Sequence, residues 1–332
     1  MDRPGRFIVC TRESSVHPPD IAVLDRLHSK LTTVVVLNPE FVSLQLSEPE
    51  RIAGVNQYGE DWFGHVVKPL GYEAGKKYPL IVTTYRSGDY FLLGASGNEN
   101  PIQIYASHGF VVLSFDIGRF RKRREHDFAD RLLDWASPTE SIAQAIALLT
   151  RQGLVDPARI GVTGFSHGAE IVEYAISHTT LFCAAVLSGP AARDPYFYYM
   201  AGAEWQDTFK KWGLGGWPEG APGANWKTLA ASLNANRIET ALLVNASDSE
   251  YIADLSLIIS LAQLKKPVDF YIYAHELHVK NGPRHRREIY DRNVDWFRFW
   301  LTGEEDPTLE KAKQYEYWRT LRNAARPASG AP

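Results

Sequence analysis

The sequence predicts an α/β protein with an open, doubly wound and mostly parallel sheet, preceded by a short antiparallel β segment. From residue 79 onward, near-continuous apolar runs alternate with amphipathic segments, which is typical of parallel strands covered by helices on both faces. Residues 6–37 instead contain three short β-type runs, separated by Pro18 and Pro19 and by a polar turn at 26–30. The chain has too few regular strand–helix units for a closed barrel.

The predicted elements follow one another in a regular order. We expect strands at 79–85, 110–117, 159–166, 183–189, 240–247 and 268–275. Between the second and third strands we expect a helix that begins with Ser137 as N-cap and Pro138 as first residue, with Glu140 completing a capping box and Gly153 ending the helix. An insertion at 192–227 carries nine aromatic residues and is either core or a lid over a pocket.

Composition excludes several classes of protein. The 332 residues are 45% hydrophobic and 23% charged with a formal net charge of −3, which excludes a disordered, collagen-like or coiled-coil chain and argues against general nucleic-acid binding. No apolar run reaches the roughly 18 residues that cross a bilayer, so we expect no membrane partner. Cys10 and Cys183 cannot form a disulfide framework. A basic cluster at 119–124 is interpreted as a solvated segment, the alternative being a local site for an acidic substrate group.

A Gly-x-Ser-x-Gly motif at 164–168 carries the clearest chemical signal. It stands between a predicted strand and a predicted helix, where a tight turn exposes the hydroxyl of Ser166 at the carboxyl edge of the sheet. The backbone N–H of His167 then lies at a helix N-terminus and points toward a developing oxyanion. This context predicts the α/β-hydrolase fold with Ser166 as nucleophile, whereas an ordinary glycine-rich turn is the alternative.

A serine nucleophile needs a histidine base and an acid, which in this fold follow it in the order acid, then histidine. Of the two histidines after the last predicted strand we favour His278 over His275, because His275 directly ends the strand. Their H-x-x-H spacing does not match the helical spacing of zinc hydrolases, so we expect no metal. Asp248 and Glu250 both follow the preceding strand, and spacing alone does not choose between them.

A second oxyanion donor is needed beside the His167 amide. The hydroxyl of Tyr85, at the end of the first predicted strand of the parallel region, is our candidate. The alternative is a purely structural aromatic residue at a strand end.

Four segments resemble the prolyl oligopeptidase family of serine peptidases: VHPPDIAVLDRLHSKLTTVVVLNPEF, KKYPLIVTTYRSG, DPARIGVTGFSHGAE and PVDFYIYAHELHVKNGPRHRREIYDRNVDWFRFWL. The resemblance implies Ser166 as nucleophile, His278 as base and Tyr85 as side-chain oxyanion donor. It also implies that 1–46 are the last blade of a β-propeller and its linker, whose other blades are missing from this chain. Residues 47–304 are then the catalytic domain, and 305–332 a C-terminal helix and tail.

Within that family, TYRSGDYFLLG, ENPIQIYASHGFVVLSFD and SDSEY are similar to isopeptidases that open lasso peptides, in which a side-chain amide closes a ring around the threaded tail. This resemblance implies Glu250 as the acid, a peptide substrate and no cofactor. We therefore expect hydrolysis of an amide bond through an acyl-enzyme. The alternatives are a general oligopeptidase, an acylaminoacyl peptidase or an esterase of the same fold. A binding protein without turnover is disfavoured, because nucleophile, base and candidate acids are all present.

Overall fold

A computed structural model of the chain describes residues 5–88, 91, 100–117, 127–189, 194–200, 202–215 and 223–325. Within them the strands are β1 (Phe7–Ser14), β2 (His17–Asp25), β3 (Lys30–Val35), β4 (Pro49–Val55), β5 (Asp61–Val67), β6 (Tyr78–Tyr85), β7 (Val111–Asp116), β8 (Val155–Phe165), β9 (Ala184–Ser188), β10 (Ala241–Ser247) and β11 (Val268–Tyr273). The α-helices are α1 (Ile102–Ser107), α2 (Phe128–Arg151), α3 (His167–His178), α4 (Pro195–Met200), α5 (Gly202–Lys211), α6 (Ala224–Leu229), α7 (Leu255–Gln263), α8 (Pro283–Phe297) and α9 (Ala312–Ala325).

The main sheet has eight strands in the order β11-β10-β9-β8-β6-β7-β5-β4. The strands from β11 to β7 are mutually parallel, and β5 and β4 extend the sheet in antiparallel fashion. All six predicted strands are present, which confirms the predicted doubly wound, mostly parallel sheet. The hairpin of β4 and β5 is an addition that the apolar pattern did not predict, because β4 is a half-exposed edge strand without a continuous apolar run.

Apolar residues of the central strands face two separate cores. In β6, Leu80 and Val82 belong to the core that contains α2, α3 and α7, whereas Ile81 faces the opposite core beside α1, α8 and α9. The same alternation occurs in β10, where Leu243 faces the second core. Because successive side chains of a strand point to opposite faces, a run of consecutive apolar residues serves both layers. The ends of the strands lie between these two helical layers, and functional side chains can be placed there.

A separate three-stranded antiparallel sheet, in the order β1-β2-β3, precedes the main sheet and confirms the predicted antiparallel start. The prediction that Pro18 and Pro19 separate two strands is wrong, since both lie inside β2. The pairing of β2 with β1 is irregular here, because Arg12 pairs with Asp20 and Ser14 with His17. A proline lacks the N–H that a regular ladder needs, and a bulge is one of the places where a strand tolerates it.

Helix α2 begins earlier than predicted. Its N-cap is Asp127, whose carboxylate accepts a hydrogen bond from the Asp130 N–H at 2.9 Å, and Pro138 lies inside the helix. The predicted start at Ser137 is therefore wrong. The buried Asn56 donates to the Ser137 hydroxyl at 2.6 Å, across 81 residues of chain, and such contacts hold the helix together through the proline. The predicted end is confirmed, since Gly153 follows the helix with φ of +73°.

The aromatic insertion folds mainly as core in the part that the structure describes. Phe209 is fully buried, and its ring contacts five aromatic neighbours, namely Phe197, Tyr198, Trp205, Trp212 and Trp226. Tyr196 and Trp205 are exposed. Trp217, the side chain of Tyr199 and the basic cluster 119–124 lie outside the described residues.

The chain closes the second face of the sheet with its C-terminal helices. Helix α8 is continued by a π-helical turn at Arg298–Thr302, and α9 then buries Tyr315 and Trp318 against Trp296 and Phe299. None of the helices that the structure describes combines the length and the apolar character needed to span a membrane.

Candidate active site

The candidate nucleophile stands on the turn between β8 and α3. Ser166 has φ of +57° and ψ of −126°, a backbone conformation that a residue with a side chain rarely adopts. Its N–H donates to the Ser188 carbonyl at 3.0 Å, and its own carbonyl accepts from the Ala169 N–H at 2.8 Å. These bonds tie the strained residue to the neighbouring strand and to the first helical turn. Local strain of this kind is typical of functional sites.

Gly164 permits this turn by lacking a side chain. A Cβ atom at this position would collide with the carbonyl of Gly168 and would lie 2.7 Å from the Ala169 nitrogen. The first glycine of the motif is therefore required by the close approach of strand and helix, as predicted for a sharp strand-to-helix turn.

His167 is the first residue of the 12-residue helix α3. Backbone N–H groups of the first helical turn lie at the positive end of the helix dipole, which is where an oxyanion donor should be. The side chain is engaged elsewhere, because Nδ1 lies 2.8 Å from Glu170 Oε2, which also accepts from Trp135 Nε1 at 3.2 Å. The backbone of His167, rather than its imidazole, is thus the group suited to an oxyanion.

The candidate base and acid form a direct pair. Nδ1 of His278 lies 2.9 Å from Oε1 of Glu250, and their side chains are 42% and 21% exposed. The Ser247 hydroxyl donates to the other carboxylate oxygen at 3.2 Å. Burial raises the pKa of Glu250 and is the largest single effect. The hydrogen bond from His278, the charges of His278 and Lys280 and the Ser247 hydroxyl outweigh it, so this pKa lies below its ordinary value.

Asp248, the competing carboxylate, makes a different contact. Its Oδ2 accepts a hydrogen bond from the backbone N–H of His275 at 2.7 Å, and the His275 side chain is exposed. His275 itself has φ of +61°, so Asp248 caps a strained turn after β11. The structure brings Glu250, and not Asp248, to His278.

His278 lies against the nucleophile turn. Its ring is 4.7 Å, centroid to centroid, from that of Phe165, the residue before Ser166. Phe165 and Ser188 are register partners at the ends of the parallel strands β8 and β9. Ser166, Glu250 and His278 follow the carboxyl ends of β8, β10 and β11, which lie at the same edge of the sheet. Sites of open α/β sheets form at this edge.

Glu276 is a supporting residue that our sequence reasoning missed. Its carboxylate accepts the backbone N–H groups of Asn281 at 2.8 Å and Gly282 at 3.0 Å, and lies 2.8 Å from His285 Nδ1. It closes the loop that carries His278, next to the N-terminus of α8. Burial raises its pKa most, but His285 and the two N–H groups outweigh this effect and the pKa is lowered. The signal in the sequence is the position of Glu276 six residues before a Gly-Pro pair, where a negative charge near a helix N-terminus is favourable.

Tyr85 is the last residue of β6 and pairs with Asp116 of β7, which places its backbone at the same sheet edge. Its side chain lies outside the described part of the structure. The residues just beyond it are held firmly, since the Ser87 N–H donates to Asp116 Oδ2 at 3.0 Å and its hydroxyl lies 2.8 Å from His65 Nδ1. Across the described ranges, no three His, Cys, Asp or Glu side chains are grouped to bind a metal ion.

Two curated proteins are similar to this chain. The chain is 33% identical, over an alignment of 340 residues, to the lasso peptide isopeptidase AtxE2 of Asticcacaulis excentricus, covering 100% of this chain and 48% of that protein. It is 25% identical over 148 residues to the uncharacterized peptidase YuxL of Bacillus subtilis, covering 42% of this chain and 22% of that protein. The chain thus spans about half the length of the isopeptidase.

Solved structures agree. The AtxE2 isopeptidase without ligand superposes with a TM-score of 0.88 at 33% identity, covering 98% of this chain and 51% of that one. A variant of that isopeptidase with Astexin3-dC4 bound superposes with a TM-score of 0.89. An acylaminoacyl peptidase of Pyrococcus horikoshii, at 21% identity, TM-score 0.69 and coverage of 92% and 50%, shares the fold. These likenesses confirm the predicted α/β-hydrolase fold. Residues 98–304 match the model of the prolyl oligopeptidase family, and the chain therefore belongs to that family.

Proposed function

We propose that the chain is the catalytic part of a serine peptidase that hydrolyses the isopeptide bond of a lasso peptide and releases the linear peptide. The observation that carries the reaction class is the 2.9 Å contact between His278 and Glu250, beside the strained turn of Ser166. The substrate class is inferred from the 33% identity to a lasso peptide isopeptidase.

Acylation begins with the Ser166 hydroxyl. His278 Nε2 removes its proton while Glu250 holds Nδ1–H, so the imidazole is in the tautomer that accepts at Nε2. The serine oxygen attacks the carbonyl carbon of the Asp or Glu side chain that is joined to the peptide's N-terminal amine. The His167 N–H stabilises the negative oxygen, with the Tyr85 hydroxyl as the proposed second donor.

Collapse of the tetrahedral intermediate breaks the carbon–nitrogen bond. The His278 imidazolium gives its proton to the departing N-terminal amine, and the side-chain acyl group remains as an ester on Ser166. His278 then takes a proton from water, the resulting hydroxide equivalent attacks the ester, and the proton returns to the Ser166 oxygen. The net reaction adds one water to the macrolactam, and no cofactor takes part.

We assign 1–46 to the last blade of a β-propeller and its linker, 47–304 to the catalytic domain with its aromatic insertion at 192–227, and 305–332 to a C-terminal helix and tail. Apolar side chains of the β1–β3 sheet are exposed, Val9 by 71% and Val34 by 55%, as expected of a surface that packs against further blades. Hydrogen exchange tests this: a longer chain carrying those blades should protect the β1 and β3 amides far more than residues 1–332 do.

Mass spectrometry of a threaded lasso peptide tests the activity. The peptide is incubated with the full chain and with its Ser166→Ala variant, beside an uncyclised peptide of the same sequence. We expect the threaded peptide to gain the mass of one water only when Ser166 is present, with the new N-terminal amine free to react with an acylating reagent.

Two outcomes would contradict the proposal. If the Ser166→Ala variant opens the ring as fast as the native chain, Ser166 is not the nucleophile. If the native chain leaves the ring closed but cleaves linear peptides or a simple ester, the reaction class stands and the substrate is that of a general peptidase or esterase.

A further inference from the structure

Lys280 is a buried cation that the proposed reaction does not use. It lies two residues beyond His278, is only 1% exposed, and ranks among the largest fully buried side chains in the described residues. Burying an ammonium group costs free energy unless hydrogen bonds or charges compensate for it. Its partners therefore indicate what the charge stabilises.

The ammonium group of Lys280 contacts residues beside the candidate nucleophile and the candidate base. Its Nζ donates to the Ser188 hydroxyl at 3.1 Å and to the His278 carbonyl at 3.3 Å, and lies 5.6 Å from the centre of the Phe165 ring. Ser188 is also the residue whose carbonyl accepts the N–H of Ser166. One ammonium group thus joins the histidine loop to the strand end that anchors the nucleophile.

The loop needs such an anchor. The His278 side chain is 42% exposed, and Glu250 restrains its ring at only one nitrogen. Glu276 closes the loop on the far side, through Asn281 and Gly282. Lys280 lies between these two restraints and ties the backbone of His278 itself to β9. A charge-assisted hydrogen bond in a dry environment is stronger and more directional than one in water.

We infer that Lys280 is a positioning residue, which clamps the His278 loop to Ser188 and thereby sets the distance between the His278 ring and the Ser166 hydroxyl. The positive charge of Lys280 also favours the ionised form of Glu250. The inference rests on the proposed catalytic roles of Ser166 and His278. A misplacement of about 1 Å between reacting groups is enough to slow a reaction roughly 100-fold.

The rate of labelling of the full chain by a fluorophosphonate, a small reagent that phosphonylates activated serines, tests this inference. Labelling rates are measured over a range of probe concentrations, which gives the maximal labelling rate and the half-saturating probe concentration separately. The variants are Lys280→Met, Ser188→Ala and the double variant. Methionine has a side chain of similar length to lysine and no charge. Lys266→Met is the matched control, since Lys266 is also little exposed and bonds Glu239 at 2.6 Å outside the site.

We expect Lys280→Met to lower the maximal labelling rate about 10-fold or more, with the half-saturating concentration within about twofold of native. Ser188→Ala lowers the rate in the same direction, and the double variant is no slower than Lys280→Met, because both changes break one contact. The control labels at the native rate. A general loosening of the site would instead move both kinetic constants.

Other results would overturn the inference. Native labelling rates in both single variants, or effects that multiply in the double variant, would show that the contact does not position His278. Thermal unfolding would reveal whether Lys280→Met folds. If it does not, the labelling rate of Ser188→Ala tests the inference by itself, since this change removes only a hydroxyl. If the native chain is not labelled at all, the proposed function is contradicted. This outcome differs from equal labelling of the native and variant chains, which contradicts only the role of Lys280.

Discussion

Gly189 lies directly against the ring of His278. A Cβ atom at this position would be 3.0 Å from Cε1 and 3.3 Å from Nδ1 of His278, and the glycine itself has φ of +83°. Both facts require a residue without a side chain. The Phe165 ring also contacts the imidazole, at 4.7 Å between ring centres, and a Cβ at Gly189 would lie 3.4 Å from Phe165 Cε2. Gly189 and Phe165 therefore border the imidazole together. The geometry of the candidate base therefore depends on a glycine outside the Gly-x-Ser-x-Gly motif.

Replacing Gly189 with alanine should displace the imidazole. We expect Gly189→Ala to lower the maximal fluorophosphonate labelling rate by about 10-fold or more, because its methyl group would crowd the His278 ring at 3.0 Å. Gly109→Ala is the matched control: Gly109 has φ of +86°, and a Cβ there meets no atom within 4 Å. Both variants should lose about 1 kcal/mol of folding free energy from backbone strain, measured by urea unfolding. Equal labelling by both would contradict the steric argument.

The two carboxylates after β10 should differ sharply in function. Glu250→Gln removes the charge that holds His278 Nδ1–H, and we expect the labelling rate to fall about 10,000-fold, as replacement of a triad acid by its amide does elsewhere. Asp248→Asn changes only the cap on the His275 N–H, and we expect less than about a threefold loss. The reverse ranking would assign the acid to Asp248.

Glu276 should make stability depend on pH. Its pKa is lower in the folded chain than its ordinary value, so it stabilises the fold above that ordinary pKa, and this contribution is lost as the pH falls through the folded pKa. We expect Glu276→Gln to cost about 2 kcal/mol at neutral pH, from its hydrogen bonds, and much less near pH 3.

Urea unfolding at both pH values tests this dependence. Glu304→Gln is the control for Glu276→Gln, because Glu304 is an exposed partner of Arg298 at 3.0 Å and should cost less than about 0.5 kcal/mol. A destabilisation of Glu276→Gln that is equal at neutral pH and near pH 3 would mean that packing, rather than charge, explains the loss.

The strained backbone of Ser166 should lower the free energy of unfolding of the native chain. Ser166 has φ of +57°, where glycine is unstrained, so Ser166→Gly should raise the unfolding free energy by about 1 kcal/mol relative to Ser166→Ala. Both variants should lose labelling completely. Matching thermal midpoints for the two variants would show that the turn is not strained at this residue.

Local patterns predicted much of this fold. The six parallel strands and the end of α2 at Gly153 follow from apolar runs and turn residues that act within a few positions of chain. The start of α2 was mispredicted, because the contact of Asn56 with Ser137 joins residues 81 apart. Pro18 and Pro19 were mispredicted for a related reason, since a bulge depends on the partner strand.

The fold class and the candidate nucleophile could be predicted from the residue order alone, because the Gly-x-Ser-x-Gly turn needs only its own residues and the strand and helix beside it. Which carboxylate reaches His278 depends on the folded arrangement, since Glu250 lies 28 residues away in the chain and contacts His278 where two parallel strands end side by side. The same holds for Gly189 and Lys280. Their contacts are set by distances between separate loops, which no local pattern of residues encodes.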